Sequence, residues 1–118
     1  MPALNFKQQF SSDVRTGKKR QTIRALGKRS FRPGVTLYHY TGQRTARCRL
    51  LATATCQDVK PVVIHRDTVT LDGERLIGDA LRAFAIADGF WSVREFFDFF
   101  EKQHFSHIEP FHGRVIYW

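Results

Sequence analysis

The chain has 118 residues, 42% of them hydrophobic, and a formal charge of +8. That length suits one domain, residues 1–118, burying roughly two-thirds of its unfolded surface, and excludes two full domains. No apolar run approaches the roughly 20 residues that a bilayer crossing needs, and Met1-Pro2-Ala3-Leu4-Asn5-Phe6-Lys7 lacks the layout of a signal peptide, so the expectation is a soluble cytoplasmic protein with no membrane partner.

Phe6, Phe10 and Val14 recur every four residues, which predicts an amphipathic helix over Asn5 to Thr16, ended by Gly17 as a left-handed cap. The basic segment Lys18 to Arg24 follows as a loop or short strand. Pro33-Gly34 marks a turn, and Val35 to Tyr40 has the β-branched and aromatic character of a strand. Ala46 to Cys56 alternates, with Cys48, Leu50, Ala52, Ala54 and Cys56 on one face and Arg47, Arg49, Thr53 and Thr55 on the other. Pro61 to Ile64 and Thr68 to Leu71 are further strands, the second stopped by Asp72-Gly73. Leu76 to Ala87 reads as a helix with Leu76, Ala80, Leu81, Phe84 and Ala87 along one side. Asp88-Gly89-Phe90 interrupts it, and Ser92-Val93-Arg94-Glu95 has the spacing of a capping box that opens a phenylalanine-rich helix over residues 92–104. Gly113 to Trp118 closes the chain as a strand. Short strands with a few helices argue for an α+β domain, a small mixed β-barrel with flanking α-helices.

The charge is unevenly spread. Residues 1–50 hold 12 Lys and Arg against Asp13 alone, whereas residues 51–118 hold 7 against 10 acids. One positive face follows, the footprint of a polyanion partner such as single-stranded RNA. Cys48 and Cys56, eight residues apart in one extended strand, would sit roughly 26 Å apart, beyond the roughly 7 Å limit of a bridge. Without CxxC spacing they do not suggest zinc, and His104 and His107 find no matching ligand motif, so neither a metal nor another cofactor is expected.

Candidate chemistry centres on Gly17-Lys18-Lys19-Arg20-Gln21-Thr22-Ile23-Arg24. Like charges around Lys19 disfavour its ammonium form and suit it to act as a base, with Thr22 as a hydroxyl nucleophile and Arg24 for a phosphate or oxyanion. The plainer alternative stays open: these cations grip phosphates and Thr22 satisfies a backbone group. Asp88 could orient Lys19, or could simply punctuate two helices. Among the rings near these segments, Phe31, Tyr38, Tyr40 and Trp91, the last two are the best candidates for an exposed stacking platform. Walker, dinucleotide and Gly-x-Ser-x-Gly fingerprints are missing.

The ordered set Gly17-Lys18-Lys19-Arg20-Gln21-Thr22-Ile23-Arg24, Phe31-Arg32-Pro33-Gly34 and Ala87-Asp88-Gly89-Phe90 resembles the signature of ASCH domains, over nearly the whole chain. The resemblance implies a PUA-like barrel with a basic cleft that binds RNA. One bacterial branch of that family hydrolyses N4-acetylcytidine with a lysine, a threonine and an acid, roles that the resemblance carries onto Lys19, Thr22 and Asp88. This sequence departs from that pattern in two places: the family's Lys-Thr-x-Thr becomes Lys19-Arg20-Gln21-Thr22, so one of two hydroxyls is missing, and the acid is Asp88 rather than Glu.

Three readings therefore stand side by side. In the first, an RNA- or nucleoside-binding domain uses Lys18, Arg20, Arg24, Arg47, Arg49, Tyr40 and Trp91 to hold the strand, with Lys19, Thr22 and Asp88 as its catalytic set if it turns over N4-acetylcytidine. The second is a metal-dependent ribonuclease acting on single-stranded RNA. The third is a non-catalytic interaction module or dimer that uses the phenylalanine-rich helix; the expected state is a monomer or weak homodimer.

Overall fold

Gly17 adopts a φ of 82°, the left-handed conformation that glycine reaches without a Cβ penalty, and ends the first helix as its sequence predicts. The computed structural model describes residues 2–27, 31–104 and 110–118. In chain order the elements are β1 (Ala3–Phe6), α1 (Gln8–Thr16), β2 (Gln21–Ala25), β3 (Thr36–Thr41), β4 (Arg49–Thr55) and β5 (Asp58–Ile64). They continue with β6 (Val69–Leu71), β7 (Glu74–Leu76), α2 (Gly78–Ala87), α3 (Val93–His104) and β8 (Phe111–Tyr117). This is an α+β fold in which the described strands form two open sheets, ordered β1-β3-β4 and β2-β8-β5-β6-β7. No helix among the described residues is long and apolar enough to cross a membrane.

The chain divides into two compact units, Met1–Gln21 with Gly27–Val59 and Ile116–Trp118, and Thr22–Leu26 with Lys60–Val115. Charge divides with them. By sequence the first unit holds 11 Lys and Arg against Asp13 and Asp58, while the second holds 8 against 9 acids.

In the first unit β1 runs parallel to β3, with Phe6 opposite Thr41, and β3 runs antiparallel to β4. The Thr41 hydroxyl donates to the Phe6 carbonyl at 2.8 Å, so Phe6 belongs to a strand and the helix starts only at Gln8. The periodic match of Phe6 to Phe10 and Val14 is thus shared between a strand and a helix that bury the same kind of side chain. Pro33-Gly34 makes a type II turn: Gly34 has a φ of 94° and the Val35 amide donates to the Arg32 carbonyl at 3.3 Å. In β4, His39 faces Ala52 but Tyr40 faces Leu50, leaving Leu51 as an extra residue. This bulge reverses the expected alternation ahead of it, while Ala52, Ala54 and Cys56 still face inward relative to Thr53 and Thr55. Leu51 is buried, Leu50 and Cys48 are exposed, and the strand begins at Arg49 because Gly42 to Cys48 forms a loop. Both cysteines are free thiols, Cys48 at the surface and Cys56 inside.

The second unit holds all of β6 and β7 and most of β2, β5 and β8. Asp72 and Gly73, at φ values of 52° and 82°, form the tight turn between β6 and β7, which explains why Leu76 pairs with Val69 and α2 starts two residues later than its apolar pattern suggests. The buried side of α2 runs through Phe84 and Ala85, with Ala80 and Ala87 exposed. The Ser92 hydroxyl accepts from the Glu95 amide at 3.1 Å and caps α3 as its sequence predicts. Phe96 and Phe100 are buried; with Phe84, Phe90, Phe97, Phe99 and Phe111 they make a continuous ring cluster with centroids 4.9–5.8 Å apart. The phenylalanines of this helix are therefore spent largely on the unit's own core.

Candidate functional site

In the first unit, the segment after Gly17 is tied down at successive residues. The Lys19 amide donates to the Asp13 carbonyl at 2.9 Å, returning the chain to the end of α1. The Arg20 carbonyl accepts from the Trp118 amide at 3.1 Å, and the Arg20 Nε donates back to the Trp118 carbonyl at 3.0 Å. Trp118 is itself wedged against His39 and Phe6, at centroid distances of 4.3 and 5.8 Å. Between these ties the Lys19 side chain is turned inward, 3% exposed, with Nζ 5.1 Å from the centre of the Phe10 ring. A lysine is almost never buried to this extent unless its ammonium is paired, because burial strips it of its hydration. Lys18, by contrast, is exposed, and so is the body of Arg20.

In the second unit, Thr22 and Arg24 lie two residues apart on β2 and so share a face. The Arg24 Nε donates to the Thr22 Oγ1 at 3.2 Å. A guanidinium donating to a hydroxyl oxygen favours the deprotonated, alkoxide-like form and leaves the hydroxyl proton free to go to a base. One of the Arg24 nitrogens is thus directed at Thr22. Thr22 is 5% exposed.

Asp88 ends α2. The Gly89 amide donates to the Ile86 carbonyl at 3.0 Å and the Phe90 amide to the Ala85 carbonyl at 3.1 Å, with Gly89 at a φ of 101°, which together form a Schellman cap. Asp88 is thus helix punctuation by its backbone, but its side chain is only 4% exposed. Its position follows Leu81, Phe84 and Ala85 at helical spacing, placing it on the inward stripe. A carboxylate there is doubly disfavoured, by burial and by the negative end of the helix dipole. Such placement is found both in structural pairs and among functional acids.

The remaining candidates divide by exposure. Trp91 is 88% exposed, while Tyr40 is half-buried. Arg47 and Arg49 are exposed on the β3–β4 loop and at the start of β4. Phe31 is buried and Tyr38 half-buried, which removes Phe31 as a stacking surface. His107 lies outside the described residues and only the backbone of His104 is described; among the described residues no three His, Cys, Asp or Glu side chains gather as a metal site. The residue that sequence reasoning missed is Trp118, whose role depends on pairing across 98 positions. No family model, curated protein or solved structure matches the chain.

Proposed function

We propose that this protein is an RNA- or nucleoside-directed domain that hydrolyses the acetyl amide of N4-acetylcytidine, with Lys19, Thr22 and Asp88 as its catalytic residues. The observation that supports this reading is burial: Lys19, Thr22 and Asp88, three chemically reactive side chains from separate elements, are all at or below 5% exposure. Lysine and aspartate are almost never buried so completely unless they are paired, and perturbed groups of this kind cluster at functional sites.

In this reaction the Thr22 oxygen attacks the acetyl carbon while Lys19 takes the hydroxyl proton, and Arg24 stabilises the oxygen before attack. The amide C–N bond breaks, the proton passes to the departing nitrogen, and cytidine leaves an acetyl ester on Thr22. Water then cleaves the ester, with Lys19 again accepting a proton, to give acetate and free Thr22. Asp88 is the acid that the resemblance to ASCH domains assigns to this reaction. Lys18, Arg20, Arg47 and Arg49 hold phosphate where the cytidine lies in a strand, and Trp91 offers a stacking ring.

The proposal also includes a PUA-like ASCH fold. The α+β class supports it, as does the order of the basic loop, the Pro33-Gly34 turn and the Asp88-Gly89-Phe90 step. Incubation with N4-acetylcytidine should release cytidine and acetate, and Lys19→Ala and Thr22→Ala should each abolish release. Turnover that survives both substitutions would remove this assignment.

A further inference from the structure

The loop between β3 and β4, residues 42–48, is built with more care than a connection of two strands needs. Its Thr45 amide donates to the Gly42 carbonyl at 3.1 Å, and the Thr45 hydroxyl donates to the same carbonyl at 2.6 Å. The Thr45 hydroxyl oxygen accepts from the Arg47 amide at 3.1 Å, and the Thr45 carbonyl accepts from the Cys48 amide at 3.2 Å. From outside the loop, Asn5 Oδ1 accepts from the Gln43 amide at 3.0 Å. The turn is tight enough that a Cβ on Gly42, at a φ of 67°, would stand 2.8 Å from the Arg47 carbonyl oxygen. Arg44 is held at a φ of 66°, left-handed backbone that arginine rarely adopts.

What this brace presents is charge. Arg44, Arg47 and Arg49 are all exposed. Between Asp13 and Asp58 the sequence contains no acid, and among the described residues no carboxylate pairs with these three guanidiniums. Three unneutralised cations within six residues repel one another, and here the backbone that carries them is held in one conformation. A guanidinium fork matches a phosphate, and a braced array meets successive phosphates without first losing loop entropy.

We infer that the β3–β4 loop is a phosphate-binding element for single-stranded RNA, and that the substrate of this protein is a nucleotide within a strand. The inference rests on the RNA-directed reading above, but it concerns a surface built separately from Lys19, Thr22 and Asp88. An acidic peptide is the competing partner for exposed arginines. RNA is favoured because its phosphates form a continuous row that suits three fixed cations, and because the unit carrying the loop is strongly cationic as a whole.

The test is binding of a short fluorescein-labelled oligocytidylate, followed by anisotropy across a salt series, with the full chain. The wild-type protein should bind with a steep salt dependence. The Arg44→Gln, Arg47→Gln, Arg49→Gln triple variant should show a logarithmic slope shallower by about 2, since each lost phosphate contact on a single strand removes about 0.7. Thr45→Val, which cuts the brace and leaves every charge, should weaken binding several-fold at an unchanged slope. A wild-type slope in the triple variant would overturn the inference, and so would displacement of the RNA by polyglutamate as readily as by unlabelled RNA. Cytidine release is not the readout: loss of slope in the variant alongside no turnover in the wild type would sink the hydrolase and leave this element standing.

Discussion

Gly113→Ala probes whether the strand carrying Thr22 and Arg24 is held to the tolerance that catalysis needs. A Cβ at position 113 would stand 2.5 Å from the Arg24 carbonyl oxygen and 2.7 and 2.9 Å from two ring atoms of Phe111, all inside the 3.0 Å floor for real Cβ contacts. The Phe111 ring can turn, but the Arg24 oxygen is backbone, so β2 or β8 must give way by roughly half an ångström or more. Overpacking of this kind costs about 1–3 kcal/mol, which for a chain of this length lowers Tm by roughly 4–12 °C. The displaced residue is Arg24, whose Nε holds Thr22 Oγ1 at 3.2 Å, so turnover should fall far more than stability. Misplacement near 1 Å costs about a hundredfold in rate. Thermal unfolding by circular dichroism and cytidine release from N4-acetylcytidine would be measured on the same preparation. A Tm within about 2 °C of wild type together with undiminished turnover would refute both the steric argument and the role given to the Thr22–Arg24 pair.

Asp88→Asn keeps the size of the side chain and its capacity to accept a hydrogen bond but removes the charge, so cytidine release should be lost while the fold is kept; a collapsed Tm in differential scanning calorimetry would mark Asp88 as structural. Ser92→Ala deletes the cap on the Glu95 amide and should cost about 1 kcal/mol, read as a small Tm decrease with normal turnover. Burial pushes the Cys56 thiol above its usual 9.0, a backbone hydrogen bond from Asp58 opposes the shift, and the nearby Asp58 charge adds to it. The unfolded chain therefore loses the Cys56 proton first, and stability falls as pH rises from 9.0 toward the folded value. A Cys56→Ala variant should lack this part of the alkaline decline, and a thiol reagent should modify Cys48 at once but Cys56 only on unfolding.

Features that depend on local chemistry were legible in the sequence. Gly17 ends α1, Asp72-Gly73 turns between two strands, and Ser92 caps α3, because each is decided by residues within a few positions. Phe6 was not legible as a strand residue, since its place is fixed by pairing with Thr41 on β3, and the parity of β4 was legible from Ala52 onward but lost before it, because a bulge at Leu51 leaves no mark on the alternation. For the candidate site, the identities of Lys19, Thr22 and Asp88 came from their motif, but their burial did not. The signal for Asp88 was present, since Leu81, Phe84, Ala85 and Asp88 fall on one helical stripe. The Thr22–Arg24 bond follows likewise from strand spacing of two. The segment that turns Lys19 inward is tied by the Lys19 amide to Asp13 and by Arg20 to Trp118, and no local pattern encodes the second of these.

The central claim is that Thr22 becomes acetylated by its substrate. The most direct measurement is peptide mass spectrometry of protein quenched in acid during turnover of N4-acetylcytidine. The account predicts one acetyl group on the peptide containing Thr22, absent in Thr22→Val and in Lys19→Ala. Cytidine release that continues in Thr22→Val, with no acetyl group on Thr22 in the wild-type protein, would contradict it.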